Sequence, residues 1–206
     1  MEEDELSYSN FNFLRRLYWR FGRALGGRTA AAVWDDQYSR GVWQEFDNGR
    51  SSEVLDVVNS FGVDLDLVEF GCGEGSLVFA LKPEVIRSYR GFDISSTAVA
   101  RAKHNFAQEG MDICSASCTD LATLSNLDAC DLILAEECLY YLSRRELKQL
   151  LAVAWRAIRS GGGLIAVVHD GEKHAWVLDL VRSFSDQCEV RDFMIESRSA
   201  VLLVKS

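Results

Sequence analysis

The stretch Val68-Glu69-Phe70-Gly71-Cys72-Gly73-Glu74-Gly75-Ser76 sets an acid and three alternating glycines at the end of an apolar run. A glycine-rich turn after a buried strand lets a ligand approach the main chain. One glycine is explained by a tight turn alone; three in alternation ask for a ligand. Two ligand classes use such a turn, and the spacing separates them. A dinucleotide favours GxGxxG, with a helix N-terminus facing the pyrophosphate. In that register the third glycine falls on Ser76, and the pattern here is ExGxGxG. A carboxylate at Glu69 repels a pyrophosphate and suits a ligand with positive charge near the turn, such as an ammonium group. Asp93, at the end of the next strand-like segment, offers two acceptor oxygens to the paired hydroxyls of a ribose. Together these residues point to S-adenosyl-L-methionine as the cofactor.

The elements that must position them follow from periodicity. From about residue 51, helix-like and strand-like segments alternate. A helix fits Ser51 to Phe61, with Val54, Leu55, Val57 and Val58 as its apolar positions. A short strand covers Leu65–Phe70, and a helix follows the turn from about Ser76 to Leu81. Residues 88–93 read as a second strand and 96–109 as a helix with Ala98, Ala102 and Phe106 on one face. Strand character is weaker over 111–117. Residues 131–135, "DLILA", form an apolar run of the buried parallel-strand kind. Ser143 and Glu146 make a capping box for the next helix, whose face is Leu147, Leu150, Leu151, Ala154 and Ile158. Glycines 161–163 stop that helix. "GLIAVVHD" is a fifth strand, 173–184 a helix, and 188–195 with 199–204 a terminal hairpin. The whole is an α/β, Rossmann-like doubly wound sheet of seven strands, with a C-terminal antiparallel hairpin strand. Residues 51–206 form the domain.

Residues 1–50 form an N-terminal helical extension. Phe11, Leu14, Tyr18, Phe21 and Leu25 share one helical face, and Arg16, Arg20 and Arg23 lie opposite. Such a helix over 11–28 either rests on a membrane surface or covers its own domain. The second reading is favoured, and the dense aromatics fit a lid over the site.

Bulk composition narrows the function class. The chain has 206 residues and 48% hydrophobic content, with a formal net charge of -9. That sign disfavours nucleic acid as the main partner. No apolar run reaches the roughly 18–20 residues of a membrane span. The acidic start "MEEDEL" differs from a secretory signal, and six cysteines without a CxxC pair fit reduced thiols in a cytoplasmic protein. Cys114 and Cys118 have no histidine suited to zinc nearby, so no metal site is expected.

Four segments, "VEFGCGEGS", "YRGFDIS", "TDL" at 119–121 and "DLILAEECLYYL" at 131–142, resemble a class I S-adenosylmethionine-dependent methyltransferase over roughly residues 51–206. The last, with "LLAVAWRAIRSGGGLIAV", is similar to the nodulation protein S family, which N-methylates a chito-oligosaccharide amino sugar. This resemblance implies that Glu69 faces the cofactor's amino group and that Gly71, Gly73 and Gly75 let the main chain wrap its methionine part. It implies Asp93 on the ribose, Ile94 against the adenine, and Asp120 accepting from the adenine amino group with Thr119 beside it. Asp120 equally fits a turn residue that caps itself. Glu136 and Glu137 would border the methyl-transfer cavity. "VWDDQYSRGVW" resembles the segment ahead of the sheet in such enzymes, so Tyr38 or Trp43 would touch the methionine end. Relatives with metal ligands carry glutamate and histidine where this chain has Tyr140 and Tyr141, which implies a metal-independent enzyme.

Transfer of a methyl group needs alignment and a dry pocket. An amine acceptor must first lose a proton, whereas a hydroxyl needs a base during attack. Glu137 is one candidate, to orient an amine or take its proton. His169, at the end of the fifth strand beside Asp170, is another; His104 reads as solvated. Tyr140 and Tyr141 line an acceptor pocket or belong to the core. The expected acceptor is a small molecule, an amino sugar, glycan or natural product, methylated on nitrogen or oxygen. An O-methyltransferase of a non-sugar metabolite, a dinucleotide-dependent oxidoreductase and a cofactor-binding module without catalysis are the competing readings.

Overall fold

A computed structural model describes residues 27–43, 52–169, 171–184, 188–195 and 198–206. The amphipathic face at 11–25 lies outside the described residues. Helices α1 (Gly27–Ser39) and α2 (Ser52–Ser60) precede β1 (Leu65–Phe70). The chain continues through α3 (Leu77–Ala80), β2 (Ile86–Asp93), α4 (Ser96–Gln108), β3 (Cys114–Cys118) and β4 (Cys130–Glu136). It ends with α5 (Arg144–Ala157), β5 (Ile158–Val168), α6 (Ala175–Arg182), β6 (Cys188–Ile195) and β7 (Arg198–Lys205).

The seven strands run in the order β3-β2-β1-β4-β5-β7-β6. Pairings from β3 through β5 are parallel, and β7 is antiparallel to both β5 and β6. The order reverses between β1 and β4, so the carboxyl ends of β1, β2 and β4 face one crevice, the usual ligand position in such sheets. Central strands are buried on both sides, as their apolar runs demand. One face packs Leu67, Tyr89 and Leu134 against α2, α3 and α4. The other packs Val68, Phe70 and Ile133 against α5 and α6. No helix among the described residues is long and apolar enough to cross a membrane.

The capping box forms as the sequence requires. The Ser143 hydroxyl accepts from the Glu146 amide at 3.3 Å, and Glu146 accepts from the Ser143 amide at 2.7 Å. The helix stop differs. α5 ends at Ala157 and β5 begins at Ile158, so glycines 161–163 lie inside the strand rather than ahead of it. There, residues 158 to 163 of β5 oppose only 130 to 132 of β4, which makes a bulge. A Cβ on Gly162 would sit 2.2 Å from the Asp131 carbonyl oxygen, and one on Gly163 2.7 Å from that of Leu203. These two glycines serve close backbone approach within the sheet.

A second irregularity, at Leu65/Asp66 of β1, leaves Arg87 of β2 between the paired residues Ile86 and Ser88. Arg87 donates to both Asp66 oxygens, at 3.0 and 2.5 Å. Arg159, within the β5 bulge, lies 2.8 Å from Asp66 and 2.9 Å from Asp131. The two irregularities thus place two arginines on one acidic pair at the amino ends of the strands, opposite the crevice. The Arg87 guanidinium holds Asp66 well below the usual carboxylate range, outweighing burial, with Ser88 and Arg159 adding to it.

Candidate functional site

β1 ends at Phe70, and Gly71, Gly73 and Gly75 then take φ of 71°, 54° and 76°. These left-handed values explain the residue type, because a Cβ there meets the backbone. Packing adds to the demand at two positions. A Cβ on Gly71 would lie 2.7 Å from that of Cys138, and one on Gly75 would lie 2.6 Å from the Phe106 ring. The turn is stitched down by the Gly71 amide donating to the Phe92 carbonyl at 2.7 Å and the Gly75 amide to that of Cys72 at 2.9 Å. The Gly73 amide donates instead to Asp93 Oδ2 at 3.0 Å. Arg101, a basic side chain that reaches this turn, is neutralised by Glu74 at 2.6 Å.

Asp93 is buried at the end of β2. Its second oxygen accepts from the Ser95 amide at 2.8 Å. Burial raises its pKa despite those two amides. The Ile94 amide acts on the same carboxylate, and with about four acceptor sites in all Asp93 keeps capacity for a further donor. Ile94 is half-buried, and the Thr119 amide donates to the Asp93 carbonyl at 2.7 Å. Asp120 Oδ1 accepts from the Ala122 amide at 2.9 Å and caps the turn Leu121–Thr123, the self-capping role that the sequence left open for it. Glu69 is 1% exposed, and its Oε2 accepts from the Tyr89 hydroxyl at 2.5 Å.

At the end of β4, Glu136 is ion-paired with Arg198 of β7. Glu137 has a φ of 57°, uncommon for a residue with a side chain. Its amide donates to the Val167 carbonyl at 3.0 Å, and its Oε2 accepts from the Tyr140 hydroxyl at 2.9 Å. Its Oε1 is buried, and no donor among the described residues meets it in hydrogen-bonding geometry. Burial raises the Glu137 pKa, with the His169 main-chain N–H and the Tyr140 hydroxyl acting against it. Glu137 thus combines a left-handed backbone with a buried oxygen that lacks a well-formed hydrogen bond among the described residues, two features that each carry a cost. The His169 side chain itself is exposed.

Helix α1 brings a further set of residues. Tyr38 and Gln37 are buried, and the Trp43 indole N–H donates to Gln37 Oε1 at 3.0 Å. Aromatic rings then run in sequence from Trp43 to Trp34 (5.3 Å between centroids), Trp34 to Tyr141 (5.3 Å), Tyr141 to Tyr140 (4.6 Å) and Tyr140 to His174 (4.2 Å, stacked). The run joins α1 to the loop after β4 and the start of α6. Pairs at such distances add to stability beyond area burial.

Glu69, the glycine turn, Asp93, Ile94, Thr119 and Asp120 therefore gather along the ends of β1, β2 and β3. Glu136, Glu137, Tyr141 and His169 gather at β4 and β5. Sequence reasoning missed Asp35, which bonds the turn after Asp93, as well as Tyr89 and Arg198, the partners of Glu69 and Glu136. The run of donors at Ser95-Ser96-Thr97 was a visible helix-start signal. Nothing local to it names a partner sixty residues upstream.

Residues 67–162 match the family described as a methyltransferase domain. No curated protein sequence matches the chain. Among solved structures, the N-methyltransferase NodS from Bradyrhizobium japonicum WM9 in complex with S-adenosyl-L-homocysteine is similar, at 19% identity over 74% of this chain and 82% of that one, with a TM-score of 0.59. Magnesium protoporphyrin IX methyltransferase from Synechocystis PCC 6803 with bound S-adenosylmethionine shares 17% identity over 85% and 97%, with a TM-score of 0.61. An rRNA methylase from Streptococcus thermophilus shares 15% over 76% and 97%, with a TM-score of 0.59. Strand order, positive-φ glycine turn and matched segment agree: this chain has the class I S-adenosylmethionine-dependent methyltransferase fold, with residues 67–162 matching a methyltransferase domain.

Proposed function

We propose that the chain transfers the methyl group of S-adenosylmethionine to a nitrogen or oxygen of a small molecule, such as an amino sugar, glycan or related natural product. The carrying observation is the Gly73–Asp93 contact, which joins the glycine turn to an acidic strand end in a set of acceptors. Glu69, Asp93 and Asp120 are all acceptors, and the nearby arginine is already neutralised. That chemistry suits a cationic ligand rich in N–H and O–H donors, and does not suit a pyrophosphate. In this reading Asp93 holds the ribose beside Ile94, and Asp120 with Thr119 meets the adenine. Glu69 and the turn hold the amino-acid end, with Glu136, Tyr38 and Trp43 at its border. When bound, S-adenosylmethionine supplies a methyl group on a positively charged sulfur, activated for in-line displacement.

The remaining work falls to alignment and to the proton. Glu137 Oε1 offers an acceptor to the amine or hydroxyl of the acceptor molecule. A carboxylate of raised pKa is better matched to proton transfer near neutral pH than an ordinary one. Tyr140 fixes the rotamer of Glu137, while Tyr141 with its aromatic neighbours keeps water out. His169 contacts the acceptor from the rim. The net charge of -9 argues for a small acceptor over a polyanionic one. Residues 1–50 act as a lid.

The test incubates the protein with methyl-labelled S-adenosylmethionine and fractionated cell extract, and identifies what becomes labelled. Label in a small amine or hydroxyl compound supports the proposal, and label in RNA overturns the acceptor class. Cofactor binding without label in any fraction favours a binding module.

A further inference from the structure

Resting on the cofactor reading above, we propose that Asp35 is a positioning residue of the cofactor site, whose carboxylate locks α1 onto the turn that presents Asp93. Asp35 Oδ1 accepts from the Ser95 hydroxyl at 2.7 Å and from the Thr97 amide at 3.0 Å, and Oδ2 accepts from the Ser96 hydroxyl at 3.1 Å. The start of α4 therefore has two caps. Ser95 Oγ takes the Ala98 amide at 3.1 Å, and Asp35 takes Thr97 from outside the helix. The Ser95 amide, in turn, donates to Asp93, and the other oxygen of Asp93 holds Gly73. Gly73, Asp93, Ser95 and Asp35 thus form one unbroken chain of hydrogen bonds from the glycine turn to α1.

The electrostatics agree with that geometry. Burial raises the pKa of Asp35, but the Thr97 amide and the hydroxyls of Ser95 and Ser96 outweigh it, so the carboxyl is held below its ordinary value. An anion at a helix N-terminus is also favoured by the helix dipole. The adjacent Asp36 has a different setting, exposed and paired with Arg40 one turn on. α1 also carries Trp34 against Tyr141 and Gln37 against Trp43. Fixing Asp35 therefore orders the cofactor turn and the aromatic run together. α1 lies outside the matched segment 67–162, and Asp35 is the link that makes it part of the site.

The experiment titrates S-adenosylhomocysteine by calorimetry into wild type, Asp35→Ala, Asp35→Asn and Asp36→Ala. It also follows amide hydrogen exchange of residues 27–39 in the wild type, with and without that ligand. Asp35→Ala should bind about tenfold more weakly, the scale of a lost N-cap. Asp35→Asn, which keeps one acceptor oxygen, should fall between, and Asp36→Ala should match wild type. A merely structural Asp35 would lower the melting temperature and leave the affinity of the folded protein unchanged, which overturns the proposal. Equal weakening by Asp36→Ala also overturns it, because the effect would then be one of helix charge. If Asp35→Ala fails to fold, the exchange data decide: slower exchange of α1 with ligand supports the proposal, and unchanged exchange overturns it. Wild type that folds but takes up no S-adenosylhomocysteine overturns the cofactor reading itself, whereas wild-type binding with indifferent Asp35 variants overturns this inference alone.

Discussion

Glu137→Gln should stabilise the protein while slowing it. Oε1 of Glu137 is buried without a well-formed hydrogen bond among the described residues, and burial raises the carboxyl pKa above its ordinary 4.5 despite the His169 main-chain N–H and the Tyr140 hydroxyl. The folded state therefore binds that proton more tightly than the unfolded state. The contribution of Glu137 to wild-type stability must fall as pH rises from the unfolded value through the folded one. Glutamine keeps the shape and the acceptor for the Tyr140 hydroxyl but carries no charge. An unmet buried polar group costs about 1–3 kcal/mol. Glutamine still leaves its NH2 group without a partner, so the recovered share is about 1 kcal/mol, or about 2–4 °C in Tm for a chain of this size. Thermal unfolding followed by circular dichroism between pH 4 and 8 measures it. The Tm advantage of the variant should be near zero at the acid end and grow toward pH 8. Turnover of the labelled methyl acceptor should fall by about 100-fold if Glu137 takes the proton. A variant no more stable than wild type at pH 8, or an advantage that does not change with pH, would refute the account of a strained, ionisable Glu137.

The remaining predictions use other parts of the molecule. Gly71→Ala must force a side chain into left-handed backbone and against Cys138, costing together about 2–5 kcal/mol. Gly110→Ala, with φ of 66° and open space around it, should cost only about 1–2 kcal/mol; denaturant unfolding of both variants makes the comparison, and equal losses would contradict it. Asp66→Asn should destabilise by about 1–2 kcal/mol at neutral pH. Because the folded pKa of Asp66 is depressed, that difference should shrink as pH falls below the ordinary carboxylate value, which urea melts at pH 7 and pH 3.5 would show. His169→Gln should slow turnover far less than the 10²–10⁴-fold expected, on the order of a lost base, because what His169 gives Glu137 comes from its main-chain N–H. A loss in that range, with a flattened pH profile, would move the base to His169.

Much of the fold was written locally. Buried parallel strands announced themselves as short, mainly apolar runs at Leu65–Phe70 and "DLILA", because a strand covered on both faces has no solvent-facing side that calls for regular polar alternation. The Ser143–Glu146 capping box was readable because both partners lie within one helical turn. The glycines at 71, 73 and 75 were readable too, since only glycine adopts positive φ freely. Glycines 161–163 misled for a related reason. Local reasoning sees in three glycines a helix stop, whereas Gly162 and Gly163 answer to the approach of the Asp131 and Leu203 carbonyls from other strands, and Gly161 to its φ of 80°.

The sequence by itself therefore determined the parallel sheet, the turn that can press its main chain on a ligand, and the acids at the strand ends. Those depend on backbone conformation and on neighbours a few residues away. Only the tertiary structure decided which of those acids are already engaged: Glu69 by Tyr89, Glu136 by Arg198, Asp120 by its own turn. It alone showed Glu137 Oε1 to be a buried acceptor without a well-formed hydrogen bond among the described residues, and joined Asp35 to the turn after Asp93. Hydrogen bonds and desolvation act through a few ångströms of space, and residues far apart in the chain acquire that nearness only when the sheet assembles.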